Sequence, residues 1–205
     1  MNKTLNISEL EAIQNGTATL NLGKGVAVIV QPEAITSRNL SDAFKTIEGS
    51  HKISSIQTLT DLDGTVDKRF FFEGSGVFIQ VIYDEDDLSH LRRNLKLWAK
   101  VDIQPITSDS QQEESIRNLL AAEITMLGHT YERVNREAQF EFLAVEPSTS
   151  KPAVEHQYNS FERYINDEYD VEQLRCEIDT SDQVGKITYW VGVDIEPECL
   201  NISQI

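Results

Sequence analysis

Basic residues are scarce in this chain of 205 residues: 18 Lys and Arg stand against 34 Asp and Glu, which gives a formal net charge of −16. Nucleic-acid binding requires Lys- and Arg-rich faces that displace counterions from phosphates, and the sequence contains no run of this kind. Anionic lipid surfaces are disfavoured for the same reason. The charge therefore argues against both classes of ligand. It is compatible with a basic protein, a polyamine or a cation as partner, or with solubility alone.

Cysteine is almost absent as well. Cys176 and Cys199 lack Cys-x-x-Cys spacing and are too few for a disulfide framework, so we expect buried free thiols in a reducing compartment. The four histidines are isolated from one another and from both cysteines, and no pair has the spacing of a zinc site. We therefore expect neither a metal site of this kind nor a cofactor.

Long apolar runs are also missing. The longest aliphatic run near the N-terminus, Val26 to Val30, is far too short to cross a bilayer. The first 16 residues lack the apolar region of a secretory signal. We expect a cytoplasmic protein without direct membrane insertion.

Strand-forming segments are well represented between residues 51 and 84. The pattern predicts a strand in "KISSIQTLTDL", a two-residue hairpin turn at Asp63-Gly64 and a returning strand in "TVDKRFFFE". A second tight turn at Gly74-Ser75 leads to a third strand, "GVFIQVIYDE". Three consecutive phenylalanines indicate that this segment forms the buried middle of a sheet.

Apolar residues that alternate over 95–103 predict a half-buried strand, and "DVEQLRCEID" and "GKITYWVGVDIE" predict the last two strands. Helical spacing predicts helices at residues 40–47, at 110–127 and, with some ambiguity, at 153–167. The second of these would start at a capping box formed by Ser110 and Glu113 and end at Gly128.

At least eight strand candidates, mostly in hairpins, accompany three or four helices. This order predicts an α+β fold in which the helices pack on largely antiparallel sheets. The length fits a single domain over residues 1–205, and the polar connector at 105–114 is the candidate boundary if the domain has two lobes.

The run "DLDGT" at residues 61–65 matches the way haloacid-dehalogenase-type phosphatases display their nucleophile. In that family the first Asp attacks phosphorus and the second is the general acid/base; here they would be Asp61 and Asp63, acting with Mg²⁺. The nucleophile must follow a buried parallel strand, whereas Gln57-Thr58-Leu59-Thr60 precedes it and a Phe-rich strand follows. We favour the hairpin turn, and the Mg-dependent phosphatase remains the alternative.

Two further features are candidates for binding. Asp84, Glu85, Asp86 and Asp87 follow the third strand; such carboxylates are usually solvated, and cation or polyamine binding is the alternative hypothesis. Trp98 projects from the polar face of its strand, where it is either covered in the core, which we favour, or part of an interaction surface.

The order of motifs resembles an uncharacterised bacterial family, the YjfK-like domain of unknown function. The resemblance lies in "DLDGTVDKRFFFEGSGVFIQVIYDEDD", "LGHTYERVN", "FERYINDEYDVEQLRCEID" and "GKITYWVGVDIEP", and it covers most of the chain from about His51 onward. It implies no catalytic residue, because none is established for that family. It does imply an accessory protein that accompanies phage-shock-type envelope-stress proteins and polyamine-conjugating enzymes. Together with the acidic composition, it leads us to expect a non-catalytic protein that binds a basic protein partner.

Overall fold

The structure is a computed structural model, and it describes residues 22–36, 38–47, 49–60, 65–84, 95–135, 141–145, 155–166, 170–179 and 185–203. Most of these residues belong to one antiparallel sheet of twelve strands. The strands are β1 Ala27–Val30, β2 Ser50–Thr60, β3 Thr65–Phe72, β4 Val77–Asp84, β5 Leu95–Ile106, β6 Glu123–Met126, β7 His129–Arg133, β8 Glu141–Val145, β9 Glu155–Tyr164, β10 Val171–Asp179, β11 Gly185–Asp194 and β12 Leu200–Ser203.

The strand pairing returns to its starting point. From β2 the order runs through β3, β4, β5, β11, β10 and β9, and β8 then pairs with β9 on one side and with β2 on the other. These eight strands form a closed sheet. The β1–β12 pair extends it beside the start of β2, and the β7–β6 pair extends it beside the end of β9.

The central strands are buried on both faces, because alternate side chains point to opposite sides of a strand. One face, the apolar face, carries Phe70 and Phe72 of β3 together with Leu174 and Cys176 of β10, and it belongs to the large hydrophobic core. Phe44 and Ile47 also pack into this core. The other, the polar face, carries the residues that alternate with these, including Asp67, Arg69, Gln80, Trp98, Arg175 and Glu177.

The expected α+β fold with three or four packed helices is wrong. Within the described residues the α-helices are α1, Glu33–Thr36, and α2, Asp109–Leu119, accompanied by short 3-10 helices at Asp42–Thr46 and Pro197–Cys199. The sheet takes up the chain that was assigned to helices, so the fold is essentially all-β.

The predicted helix at 153–167 is in fact strand β9. Its apolar residues fit a helical spacing, but the chain at this point lies between β10 on one side and β8 and β7 on the other. These neighbours satisfy the backbone hydrogen bonds of β9 along both edges. Aromatic residues such as Tyr158 and Phe161 favour a strand in that setting, so tertiary pairing overrides the local pattern.

The predicted helix at 110–127 is too long. Ser108 caps α2 by accepting a hydrogen bond from the backbone N–H of Gln111 at 3.3 Å, and the helix ends at Leu119. The chain then forms the β6–β7 hairpin, whose two turn residues, Leu127 and Gly128, have φ of 53° and 78°. Gly128 therefore serves a tight turn of the hairpin type rather than a helix end.

The three strands predicted between residues 51 and 84 are confirmed. β2 pairs antiparallel with β3 as far as Thr60 opposite Val66, and β3 pairs antiparallel with β4. Asp63 and Gly64 lie outside the described residues. The strands predicted at 95–103 and at the end of the chain are confirmed as β5, β10 and β11.

Candidate functional site

The alternative catalytic pair, Asp61 and Asp63, lies outside the described residues, but the strands on either side of it are described. The neighbours of β2 are β1, β3 and β8, and all three are antiparallel to it. A haloacid-dehalogenase-type site needs a strand between parallel neighbours and a helix after the nucleophile. Strand β3 follows instead, so the topology argues against the phosphatase alternative.

The other residues singled out in the sequence are separated. Asp84 is the last residue of β4, and Glu85, Asp86 and Asp87 lie outside the described residues. Trp98 has no exposed surface and lies on the polar face of β5, which agrees with its interpretation as a core residue.

Four buried charged residues meet inside the closed sheet: Asp67 and Arg69 of β3, and Arg175 and Glu177 of β10. Arg69 places Nη1 2.7 Å from Glu177 Oε1 and donates from Nε to Asp67 Oδ2 at 3.0 Å. Three strands separate β3 from β10 in either direction around the closed sheet. The Arg69–Glu177 ion pair therefore crosses the interior, and we call these four residues the central charge cluster.

The central charge cluster balances two guanidinium groups with two carboxylates, and each of its side chains is at most 9% exposed. Burial alone lowers the pKa of Arg69, but attraction to Glu177 and Asp67 and the hydrogen bond to Asp67 outweigh it, so the pKa rises above its ordinary value. Arg69 consequently stays charged at any pH at which the protein is folded, and it joins opposite sides of the sheet.

Arg175 is held mainly by aromatic rings. Its guanidinium carbon lies 4.4 Å from the centre of the Trp98 ring and 4.8 Å from that of Tyr158, and Nη1 lies 3.6 Å from Asp67 Oδ2. The Trp98 indole donates to Gln80 Oε1 at 2.7 Å. Because an indole N–H can only donate, this bond fixes which end of the Gln80 amide faces the ring.

Trp98 also lies close against the backbone of Gly192, its partner on β11. A Cβ atom at position 192 would be 2.5 Å from two atoms of the Trp98 ring. Phe78 then stacks near Trp98 and packs edge-on against Trp190 with ring centres 4.9 Å apart. The interior is thus filled by rings and ion pairs, which indicates a structural role for the central charge cluster.

The polar face continues outward to a row of three glutamates. Glu123 of β6 lies directly opposite Glu132 of β7, which lies directly opposite Glu162 of β9. Directly opposed residues share a face with Cβ atoms about 4.5–5.5 Å apart, so neighbouring carboxylates repel one another. Glu123 and Glu132 are exposed and Glu162 is half-buried. We call these three residues the glutamate row.

The surroundings of the glutamate row are those of a contact surface. β6 is the last strand in the sheet order, so within the described part of the chain its outer edge has no neighbouring strand. Val134 and Tyr164, each two residues from a member of the row, are 45% and 63% exposed. Exposed apolar and aromatic side chains and unpaired strand edges are each typical of surfaces that bind other chains.

Neither the central charge cluster nor the glutamate row was predicted from the sequence. A signal for the central charge cluster was present, because "DKR" and "RCE" each place two charged residues two positions apart within a largely apolar strand. No comparable signal exists for the glutamate row, since its members become neighbours only through the register of three strands.

A second buried carboxylate, Glu172, lies on the apolar face of β10. It accepts hydrogen bonds from Tyr131 Oη at 2.5 Å, from Arg163 Nε at 2.9 Å and from the backbone N–H of Ser41 at 2.7 Å. Burial, with added contributions from Glu172, raises the pKa of Tyr131. Glu172 thereby fastens the segment before the 3-10 helix to three strands of the sheet.

Both cysteines are free thiols. Burial, reinforced by Glu177, raises the pKa of Cys176, and burial also raises that of Cys199. Raised values keep a thiol protonated and weakly nucleophilic, so neither cysteine has the environment of an activated thiolate.

We expect ionisation of Tyr189 to lower the stability of the folded protein at alkaline pH. Its hydroxyl donates to Gln104 at 2.9 Å, and burial, with smaller contributions from Cys176 and Asp102, raises its pKa to about 12. The unfolded phenol ionises near its ordinary pKa of about 10, so the stability that the neutral phenol contributes is complete below about pH 10 and is lost between about pH 10 and 12. Between about pH 10 and 12 we expect the free energy of unfolding of Tyr189→Phe to fall by roughly 2 kcal/mol less than that of the wild type. Urea titrations at a series of pH values measure this difference. A variant profile that superimposes on the wild-type profile would contradict this assignment.

Within the described residues no helix is long and apolar enough to cross a membrane. Nor does that part of the chain gather three or more His, Cys, Asp or Glu side chains as a metal site would. Comparison of the chain with protein families, with curated proteins and with solved structures finds no match.

Proposed function

We propose that this chain is a non-catalytic cytoplasmic accessory protein that binds a basic protein partner, and that the glutamate row with the outer edge of β6 is its binding surface. The main support for this surface is that Glu123, Glu132 and Glu162 lie directly opposite one another on three neighbouring strands. Each such like-charge pair costs about 0.2–1 kcal/mol, a cost that Lys or Arg side chains of a partner would relieve. The net charge of −16 adds long-range attraction for the same class of partner.

The resemblance to the YjfK-like family supports the same proposal and adds an envelope-stress setting. Because the same resemblance implies polyamine-conjugating enzymes as companions, a polyamine is the alternative ligand for this acidic surface. A protein partner is favoured because Val134, Tyr164 and the strand edge offer apolar and backbone contacts that a polyamine does not use.

The test replaces the glutamate row by Glu123→Gln, Glu132→Gln and Glu162→Gln together. Removing two like-charge pairs is expected to stabilise the unliganded protein by about 0.4–2 kcal/mol. The same change is expected to weaken binding of a decalysine peptide by about tenfold at low salt, and binding by the wild type should fall as salt rises. Urea titration and isothermal calorimetry give the two quantities.

The matched control is Asp109→Asn, Glu113→Gln and Glu114→Gln, which removes three exposed carboxylates from α2. It changes the net charge equally and is expected to leave decalysine affinity within about twofold of wild type. Equal losses in the two triple variants would mean that the peptide responds to total charge, and the proposed surface would be wrong. Spermidine binding that depends on the row, without decalysine binding, would favour the polyamine alternative.

A further inference from the structure

Strand β5 extends beyond the end of its neighbour β4, which pairs with it only as far as Ala99. From Asp102 to Ile106, β5 pairs with β11 along one side, and none of the other described strands pairs with it along the other. We call this second side the β5 edge. Residues 102–105 are exposed, so another chain could reach it. An unpaired strand edge presents N–H and C=O groups that readily pair with such a chain.

The register shows which backbone N–H groups point to the β5 edge. Lys100 donates its N–H away from β11, to a carbonyl of the turn between β3 and β4 at 2.8 Å. The pairing with β11 then skips Val101, which is the extra residue of a β-bulge and shifts the alternation by one position. Because successive N–H groups point to opposite sides of a strand, positions 103, 105 and 107 face the edge.

None of these three positions offers a free donor. The N–H of Ile103 donates to Oδ1 of Asp102 at 2.8 Å. Pro105 has no N–H, and proline within a sheet is confined to places where its nitrogen faces away from a partner strand. The N–H of Thr107 donates to Oε1 of Gln111, in the first turns of α2, at 3.0 Å. Two side chains and one proline therefore account for every donor position along the edge.

From this arrangement we infer that Asp102 and Pro105 close the β5 edge to strand addition, so that a second copy of this chain does not pair there. The edge would otherwise favour pairing, because Ile103 is a β-branched residue and is 46% exposed. Charged side chains, prolines and bulges are the features that protect sheet edges in natural proteins, and this edge has all three. The inference concerns a different edge from that of β6 and does not depend on the proposed function.

The test is Asp102→Ala combined with Pro105→Thr, which frees the N–H of Ile103 and supplies another at position 105. We expect the copies of this variant to pair, and its weight-average mass at about 200 μM to exceed that of the wild type by a factor of about 1.5, as a dissociation constant of about 100 μM implies. Sedimentation equilibrium measures the mass. Hydrogen exchange followed by NMR should show that the amides of residues 101–106 become better protected as the concentration of the variant rises.

The matched control is Asp102→Asn combined with Pro105→Thr, because the amide oxygen of asparagine can still accept the N–H of Ile103 although the charge is lost. It is expected to associate less than the variant with alanine. Both positions are exposed, so neither double variant is expected to shift the Tm by more than about 4 °C. Equal association of the two variants, or no association beyond that of the wild type, would overturn the inference. So would association that leaves the exchange of residues 101–106 unchanged.

Discussion

Replacing Arg69 by Leu is expected to lower the free energy of unfolding by about 3–5 kcal/mol, because it leaves two buried carboxylates without their main counter-charge. Arg69 Nη1 lies 2.7 Å from Glu177 and Arg69 Nη2 lies 2.9 Å from Asp67, and the Arg69 side chain is 2% exposed. Urea titration of the wild type and variant measures the change. Lys68→Leu is the matched control: Lys68 is the neighbouring cation on the same strand, it is half-buried on the opposite face, and its replacement should cost less than about 1 kcal/mol.

A double variant separates the ion pair from simple packing. Arg69→Leu with Glu177→Leu leaves Arg175 opposite Asp67 and restores charge balance in the cluster. We expect the double variant to lose about 1–3 kcal/mol less free energy of unfolding than the two single variants lose in sum. Losses that simply add in the double variant would show that charge is not the cause.

Gly192→Ala is expected to destabilise the protein by about 1–3 kcal/mol through overpacking. Its Cβ would lie 2.5 Å from the Trp98 ring, and the ring has little room to retreat because Arg175 lies 4.4 Å from its centre and Gln80 holds its N–H. The displaced indole should also change the tryptophan fluorescence of the folded state. Both effects are measured in one urea titration followed by fluorescence.

Gly185 on the same strand provides the control. A Cβ there would meet its nearest neighbours at 3.6–3.7 Å, which is ordinary van der Waals contact, and no positive φ is required at that position. Gly185→Ala is therefore expected to be within about 0.5 kcal/mol of wild type. If the two alanine variants unfold alike, the close approach of Trp98 to Gly192 is not a constraint on the fold.

Local patterns predicted the strands well and the helices poorly. The period of two in β5 identified a strand because alternation reflects burial on a pleated sheet, whatever the partner strand, and the Phe-rich segment identified β3. Residues 153–167 satisfied a helical spacing and still became β9, because hydrogen bonding to strands on both edges outweighs a weak propensity. The burial of Trp98 was predicted because a large aromatic side chain is more often covered than exposed, even on a polar face, whereas its contact with Gly192 was not predicted.

The sequence by itself determined the acidic character of the chain, the antiparallel strands between residues 51 and 84, and the burial of Phe70, Phe72 and Phe78. Only the tertiary structure decided that the sheet closes through β8, that Arg69 meets Glu177 across it, and that Glu123, Glu132 and Glu162 line up. The reason is physical: alternation and turn chemistry act within a few residues, whereas strand order and register are set by contacts between residues far apart in the chain.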